Sequence, residues 1–124
     1  SITNWDYKVE DVKVQETVGE YSARGVFIVA LVEVTNTSNS GKEVGSQIFK
    51  AMDEQGRIYN MSTEASLEYY HEYNSDLWYL DGLGPSLTGV LPIVFDIPKD
   101  ATNIALITEG DNSNPILLLE SINN

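Results

Sequence analysis

Short apolar runs recur along the chain, and glycine, asparagine, aspartate, serine and proline separate them. This spacing is typical of strands joined by turns. Residues 5–9 alternate apolar and polar positions, as a half-buried strand does. The alternation then slips by one residue before Val12 and Val14, which predicts a β-bulge near Glu10 and Asp11 that keeps these valines facing the core.

The strongest strand signal is a run of seven consecutive apolar residues at 26–32, rich in β-branched types. Such a run predicts a central strand that is covered on both faces. A buried helix has a similar composition, but Gly25 and the polar residues 36–41 bound the run as turns bound a strand.

A hairpin is predicted next, with strands over residues 47–53 and 57–59. Its turn spans residues 53–56, where Gly56 is free to take a positive φ.

Residues 77–80 form a further apolar run, and the later part of the chain predicts three more strands, over residues 88–98, 103–108 and 115–120. The first of these strands contains Pro92, which cannot donate a hydrogen bond to a neighbouring strand. We therefore expect that strand to be bulged or to lie at a sheet edge there.

Residues 60–80 interrupt the strand pattern, and residues 64–69 favour one or two helical turns with Thr63 as the N-cap. The whole pattern predicts an all-β fold in a single domain over residues 1–124. It would be a two-sheet antiparallel sandwich of about seven to eight strands, with a short helical or irregular insertion around residues 63–76. We expect one shared core that includes Phe27, Val29, Leu31, Phe49 and Phe95.

The order of these segments resembles a bacterial family of immunoglobulin-like domains, the "domain of unknown function 4352" family. The resemblance is carried by Tyr7-Lys8-Val9 and by residues 25–38, 49–59, 84–89 and 94–101. It implies an immunoglobulin-like sandwich similar to small secreted mycobacterial antigens.

The same resemblance implies an extracytoplasmic setting, either secreted or membrane-anchored as a lipoprotein, with the signal region outside this sequence. It implies no catalytic residues. Pro92 and the aromatic stretch 69–79 depart from the family pattern.

The charge balance narrows the range of partners. Seven Lys and Arg stand against nineteen Asp and Glu, a formal net charge of −12, so a basic surface for nucleic acid or anionic lipid is not expected. The chain has no cysteine, which excludes disulfides and thiolate chemistry. Its apolar runs are too short to cross a bilayer, and we expect no cofactor.

Enzymatic chemistry finds little support in the sequence. His71 is the only histidine, and it lies in a polar and aromatic segment without a nucleophile-elbow motif. A hydroxyl nucleophile needs a nearby base and an orienting carboxylate. We therefore predict no enzyme activity and no catalytic residue.

The aromatic segment is the most unusual feature, because it holds five of the twelve aromatic residues: Tyr69, Tyr70, Tyr73, Trp78 and Tyr79. Such rings serve sugar-binding and peptide-binding surfaces. They also cover the edge of a small sandwich, which is the interpretation we favour. We expect a mixture, in which Trp78 is a buried anchor and at least two of the four tyrosines are exposed beside it.

Two acidic groups are weak candidates for a calcium site. Glu64, Glu68 and Glu72 recur at four-residue spacing, and Asp111 begins an oxygen-rich loop. Neither matches a known calcium loop, so we expect solvated surfaces and no metal.

The leading hypothesis is a non-enzymatic extracytoplasmic module that binds a protein or a cell-envelope component, as a monomer or weak homo-oligomer. The alternative is a carbohydrate-binding module that uses the aromatic residues of 69–79.

Overall fold

A computed structural model describes residues 5–43, 49–73, 76–78, 81–108 and 111–122. Within these residues the chain forms nine strands and one helix. In chain order they are β1 (Trp5–Val18), β2 (Tyr21–Asn36), β3 (Lys42–Glu43), β4 (Phe49–Met52), β5 (Ile58–Tyr59), α1 (Thr63–Glu72), β6 (Gly82–Leu83), β7 (Thr88–Ile97), β8 (Thr102–Thr108) and β9 (Asp111–Ser121).

Two antiparallel sheets face each other across one apolar core. One sheet has the order β1-β2-β7 and the other β5-β4-β8-β9, while β3 and β6 form a separate pair. This is the predicted immunoglobulin-like sandwich. The strands outnumber the predicted seven to eight because β3 and β6, each only two residues long, are too short to leave a pattern in the sequence.

The first two strands form a long hairpin that turns at Gly19, whose φ is +56°. Their register shifts between Val9 and Asp11, which confirms the predicted bulge. A second shift lies between Gln15 and Thr17.

Strand β2 is buried on both faces, as its apolar run predicted. Ile28, Ala30 and Val32 lie in the main core between the sheets. Phe27 and Val29 lie in a second cluster on the opposite face, beneath α1. Successive residues of a strand point to opposite faces, so an unbroken apolar run needs two covers.

The expectation of one shared core is therefore wrong in part. Phe49 and Phe95 are in the main core, but Phe27 and Val29 belong to the second cluster, and Leu31 packs against that cluster while only partly buried. The alternation along β2 separates these two groups.

The structure also places Pro92 and the apolar run at 77–80. Strand β7 pairs only with β2 in the described part of the chain, so Pro92 lies at a sheet edge as expected, and the pairing passes it without a shift. In the apolar run at 77–80, Leu77 and Trp78 are buried but are not in a strand. Residues 79–80 lie outside the described residues.

The predicted hairpin between β4 and β5 is confirmed, with φ of +81° at Gly56. The buried carboxylate of Asp53 organises its turn. One oxygen accepts from the backbone N–H groups of Gln55 and Arg57 at 3.0 Å each. The other accepts from Arg57 Nε at 2.6 Å and from the Tyr59 hydroxyl at 2.9 Å.

The Phe95 ring is fully buried in the main core. We expect Phe95→Ala to lower the free energy of unfolding by about 3–5 kcal/mol, because it removes apolar contacts and leaves a cavity. Urea denaturation measures the loss. Leu87→Ala, at an exposed site, should change it by less than about 0.5 kcal/mol. A small loss at Phe95 would contradict the packing described here.

The Asp53 turn predicts a pH dependence of stability. Burial alone would raise the pKa of Asp53, but hydrogen bonds from Arg57 and Tyr59 lower it below its usual value. A carboxyl with a depressed folded-state pKa stabilises the fold above its unfolded-state pKa, and loses that effect as the pH falls through the folded-state pKa.

Asp53→Asn should therefore be less stable than the parent protein at pH 7, and the gap should narrow below about pH 4. Thermal melting across pH 2–7 checks this. A gap that stays constant down to the lowest pH would show that the charge of Asp53 is not what stabilises the turn.

Candidate functional site

The insertion that carries the aromatic segment begins with helix α1. Its N-cap is Ser62, whose hydroxyl accepts from the Ala65 N–H at 3.2 Å. The predicted N-cap, Thr63, is already inside the helix, because Ser62 is the residue with extended backbone angles. The helix spans ten residues, longer than the one or two turns predicted.

Helix α1 covers the outer face of the β1-β2-β7 sheet. Ala65 and Tyr69 are buried in the second cluster with Phe27, Val29 and Val94. The helix supplies the cover that the second face of β2 requires.

The insertion also seals the outer edge of β7. At one end, the Ser62 N–H donates to the Val94 carbonyl at 2.7 Å, and the Val94 N–H donates to the Ser66 hydroxyl at 2.9 Å. At the other end, the Leu77 N–H donates to the Val90 carbonyl at 3.1 Å, and the Val90 N–H donates to Asp76 at 3.1 Å.

Pro92 lies midway between these two sealed residues. Alternate residues of an antiparallel strand direct their backbone groups to the same edge. Pro92 thus occupies the one outward position between Val90 and Val94, where the lack of an N–H leaves no donor to satisfy. The two departures from the family pattern, Pro92 and the aromatic stretch, lie at the same edge of the sheet.

The described aromatic rings mainly hold this insertion in place. Tyr69 is 2% exposed, and its hydroxyl accepts from Lys13 Nζ at 3.3 Å. Tyr70 is half-buried, with its ring centroid 5.6 Å from that of Trp78. Trp78 is 8% exposed, as expected of an anchor.

Tyr73 is the exposed member of the group, at 52%, and its ring lies 4.5 Å from that of Tyr69. Tyr79 lies outside the described residues. Of the three described tyrosines, one is exposed, one half-buried and one buried, so the structure does not bring two exposed rings together among them.

The other candidate residues are placed apart from any common site. His71 is exposed and meets the Tyr70 ring edge-on at 5.3 Å. Glu64 and Glu72 are exposed and Glu68 is half-buried along α1. Asp111 begins β9, where the sequence predicted a loop, and its side chain lies outside the described part.

Among the residues that the structure describes, no three Asp, Glu or His side chains are grouped as a metal ion would require. No described helix has the length and apolarity needed to span a membrane.

A groove of mixed apolar and polar lining, which no sequence pattern predicted, lies on the other side of the sandwich, and we call it the β1–β9 groove. It has a volume of about 400 Å³ and lies between Val14 of β1 and residues 117–122 of β9 and its end. A second hollow of about 290 Å³ continues it along Gln15 and Glu16, and shares Val14 and Ile122.

Two apolar side chains stand open in this groove: Val14 is 42% exposed and Leu117 is 53% exposed. Val14 continues the core-facing row of Val9 and Val12, which pack against the main core. Ile116 and Leu118 face the main core, and the alternation of the strand leaves Leu117 outside. The apolar run 116–119 was a usable signal, but by itself it indicates only a buried strand.

Comparison with known proteins identifies the family. The model described as "Domain of unknown function (DUF4352)" matches residues 1–115. The chain belongs to this family, which confirms the resemblance drawn from its segments. No curated protein matches the sequence.

Three solved structures share the fold. A conserved hypothetical protein from Bacillus anthracis aligns with a TM-score of 0.74 at 18% identity, over 95% of this chain and 89% of that one. The secreted protein MPT63 from Mycobacterium tuberculosis aligns with a TM-score of 0.59 at 15% identity, over 94% and 82%.

The third is a putative lipoprotein from Bacillus subtilis, with a TM-score of 0.63 at 15% identity. The alignment covers 90% of this chain but only 33% of that one. At these identities the likeness establishes the fold alone.

The sealed edge of β7 predicts the effect of one substitution. Ser66→Ala leaves the Val94 N–H buried without an acceptor, so we expect the free energy of unfolding to fall by about 1–3 kcal/mol. The matched control is Ser22→Ala at an exposed strand position, which should change it by less than about 0.5 kcal/mol. Urea denaturation of both variants checks this. Equal stability of the two variants would show that the seal contributes nothing.

Proposed function

We propose that this chain is a single non-enzymatic extracytoplasmic module, and that it binds a protein or cell-envelope component through the β1–β9 groove. The observation that carries the proposal is the pair of open apolar side chains, Val14 and Leu117, in a groove between two strand edges. Exposed apolar surface in a concave site is characteristic of interaction surfaces.

The proposal that the module is not an enzyme is supported by the structural roles of three buried polar side chains, those of Asp53, Ser66 and Asn36. Asp53 organises a hairpin and Ser66 bonds the edge of β7. Asn36 donates to the carbonyls of Ser40 and Leu83, and accepts from Ser38. Each of these groups is engaged in holding a turn, a loop or an edge.

The extracytoplasmic part is supported by two of the structural neighbours. One carries the name of a secreted protein and another that of a putative lipoprotein. A chain without cysteine is also compatible with an oxidising compartment, because it cannot form wrong disulfides.

The carbohydrate-binding alternative has less support. Stacking on a sugar needs accessible ring faces. Tyr69 and Trp78 are buried, and Tyr70 has its ring beside that of Trp78. Only Tyr73 of the described rings is largely open.

The proposed function is tested first by measuring how the protein binds to intact cells of the source organism. We expect the labelled protein to bind saturably, and Leu117→Ser to weaken this binding by about tenfold because it removes an apolar contact at the centre of the groove. Leu87→Ser is the matched control, since Leu87 is 58% exposed but lies away from the groove.

Three outcomes contradict the proposal. Equal binding by both leucine variants would exclude the groove. Loss of binding on Tyr73→Ser, together with competition by soluble glycans, would favour the sugar alternative. If external protease fails to digest the tagged full-length protein both on intact cells and on spheroplasts, the protein lies in the cytoplasm, and the extracytoplasmic part of the proposal is wrong.

A further inference from the structure

We infer that the β1–β9 groove binds an extended peptide segment of a partner protein that carries lysine or arginine, and that this segment adds as a strand to the outer edge of β9. The inference rests on the proposed function and specifies the partner of the same groove.

The first argument comes from how the described sheet edges are protected. Unpaired strand edges attract other chains, and proteins usually block them. The edge of β7 is sealed by the insertion, and β5 is only two residues long.

Strand β9 is eleven residues long, ends the strand order of its sheet, and pairs only with β8 in the described part of the chain. That pairing shifts register twice, at Leu118 and again toward Asp111. Its exposed Leu117 follows Ile116 and precedes two further leucines. A long apolar edge of this kind can template a strand from another chain.

The shape of the groove suits an extended chain. Residues 117–122 line it in sequence, a span of about 17 Å at the rise of a β-strand. Val14 forms the opposite wall. A bound strand would direct every second side chain inward toward Val14, so those alternate residues should be apolar, while the others would lie outward beside Leu117.

The charge of the groove and of the chain selects among partners. Glu120 lines the groove, and Glu16 and Lys99 line its continuation, leaving an acidic excess. A second copy of this chain would bring a further −12 charge to the contact, which opposes self-association. A peptide with lysine or arginine at the outward alternate positions would instead be attracted by this negative charge, which would strengthen its binding.

The test uses three synthetic peptides of about eight residues, a length that covers the groove. The first alternates valine and lysine, the second replaces lysine with glutamate, and the third repeats the first with alternate backbone nitrogens methylated. Fluorescence anisotropy measures their binding to the protein. We expect only the first to bind well, since the second is repelled and the third cannot complete the strand pairing.

Protein variants locate the binding. Leu117→Ser should lower the affinity of the protein for the valine–lysine peptide by about tenfold, while Leu87→Ser should leave that affinity unchanged. If Leu117→Ser fails to fold by circular dichroism, Val14→Ser replaces it on the opposite wall. Glu120→Lys should also weaken binding, whereas Glu43→Lys, at an exposed site on β3, should have a much smaller effect.

The inference is overturned if the methylated peptide binds as well as the first, because attraction to a −12 chain would then explain the affinity. It is also overturned if sedimentation equilibrium reveals a dimer that Leu117→Ser dissociates, since the groove would then hold a second copy. Cell binding that depends on Leu117, without peptide binding, would sink this inference and leave the proposed function standing. If the peptide binds but cell binding does not depend on Leu117, the groove binds an extended peptide, and the proposed function of binding cells through that groove is wrong.

Discussion

The structure depends on the need to bury both faces of β2. Its apolar residues alternate between the core shared by the two sheets and an outer face that would otherwise meet water. Burying large apolar side chains is the main source of folding free energy, so the outer face requires a cover of its own. Helix α1 provides that cover, with Ala65 and Tyr69 against Phe27 and Val29. The insertion is therefore part of the packing of the sandwich rather than an appendage.

The same insertion makes the two sides of the sandwich unequal. Once α1 is held against β7, Ser66, the N-cap Ser62, the Asp76 carboxylate and the Leu77 N–H are in place to bond the edge of that strand, and Pro92 is tolerated between them. In the described part of the chain, β9 pairs only with β8. The result is a sealed edge at β7 and, on the other side of the sandwich, the β1–β9 groove between Val14 and residues 117–122.

The aromatic segment illustrates why residue type is an uncertain guide to function. Tyrosine and tryptophan have apolar bodies and polar tips, which suit both buried lids and binding surfaces. Tyr69 and Tyr73 are four residues apart and lie on the same side of the helix, with their rings 4.5 Å apart. Tyr69 packs against the sheet, where Lys13 donates to its hydroxyl, whereas Tyr73 is the C-cap residue and lies in solvent. Exposure, which separates the two roles, is a property of how the helix packs.

The sequence by itself determined the sandwich, the bulge after Val9, the Gly56 hairpin and the double burial of β2, because each follows from local periodicity or backbone preference. It did not determine which apolar residues share a core, what covers the edge at Pro92, or that Leu117 stands in an open groove. Those features depend on contacts between residues far apart in the chain, such as Ser66 with Val94 and β1 beside β9. Only the tertiary structure brings such residues together, since a short apolar segment has the same pattern whether its neighbour is another sheet or water.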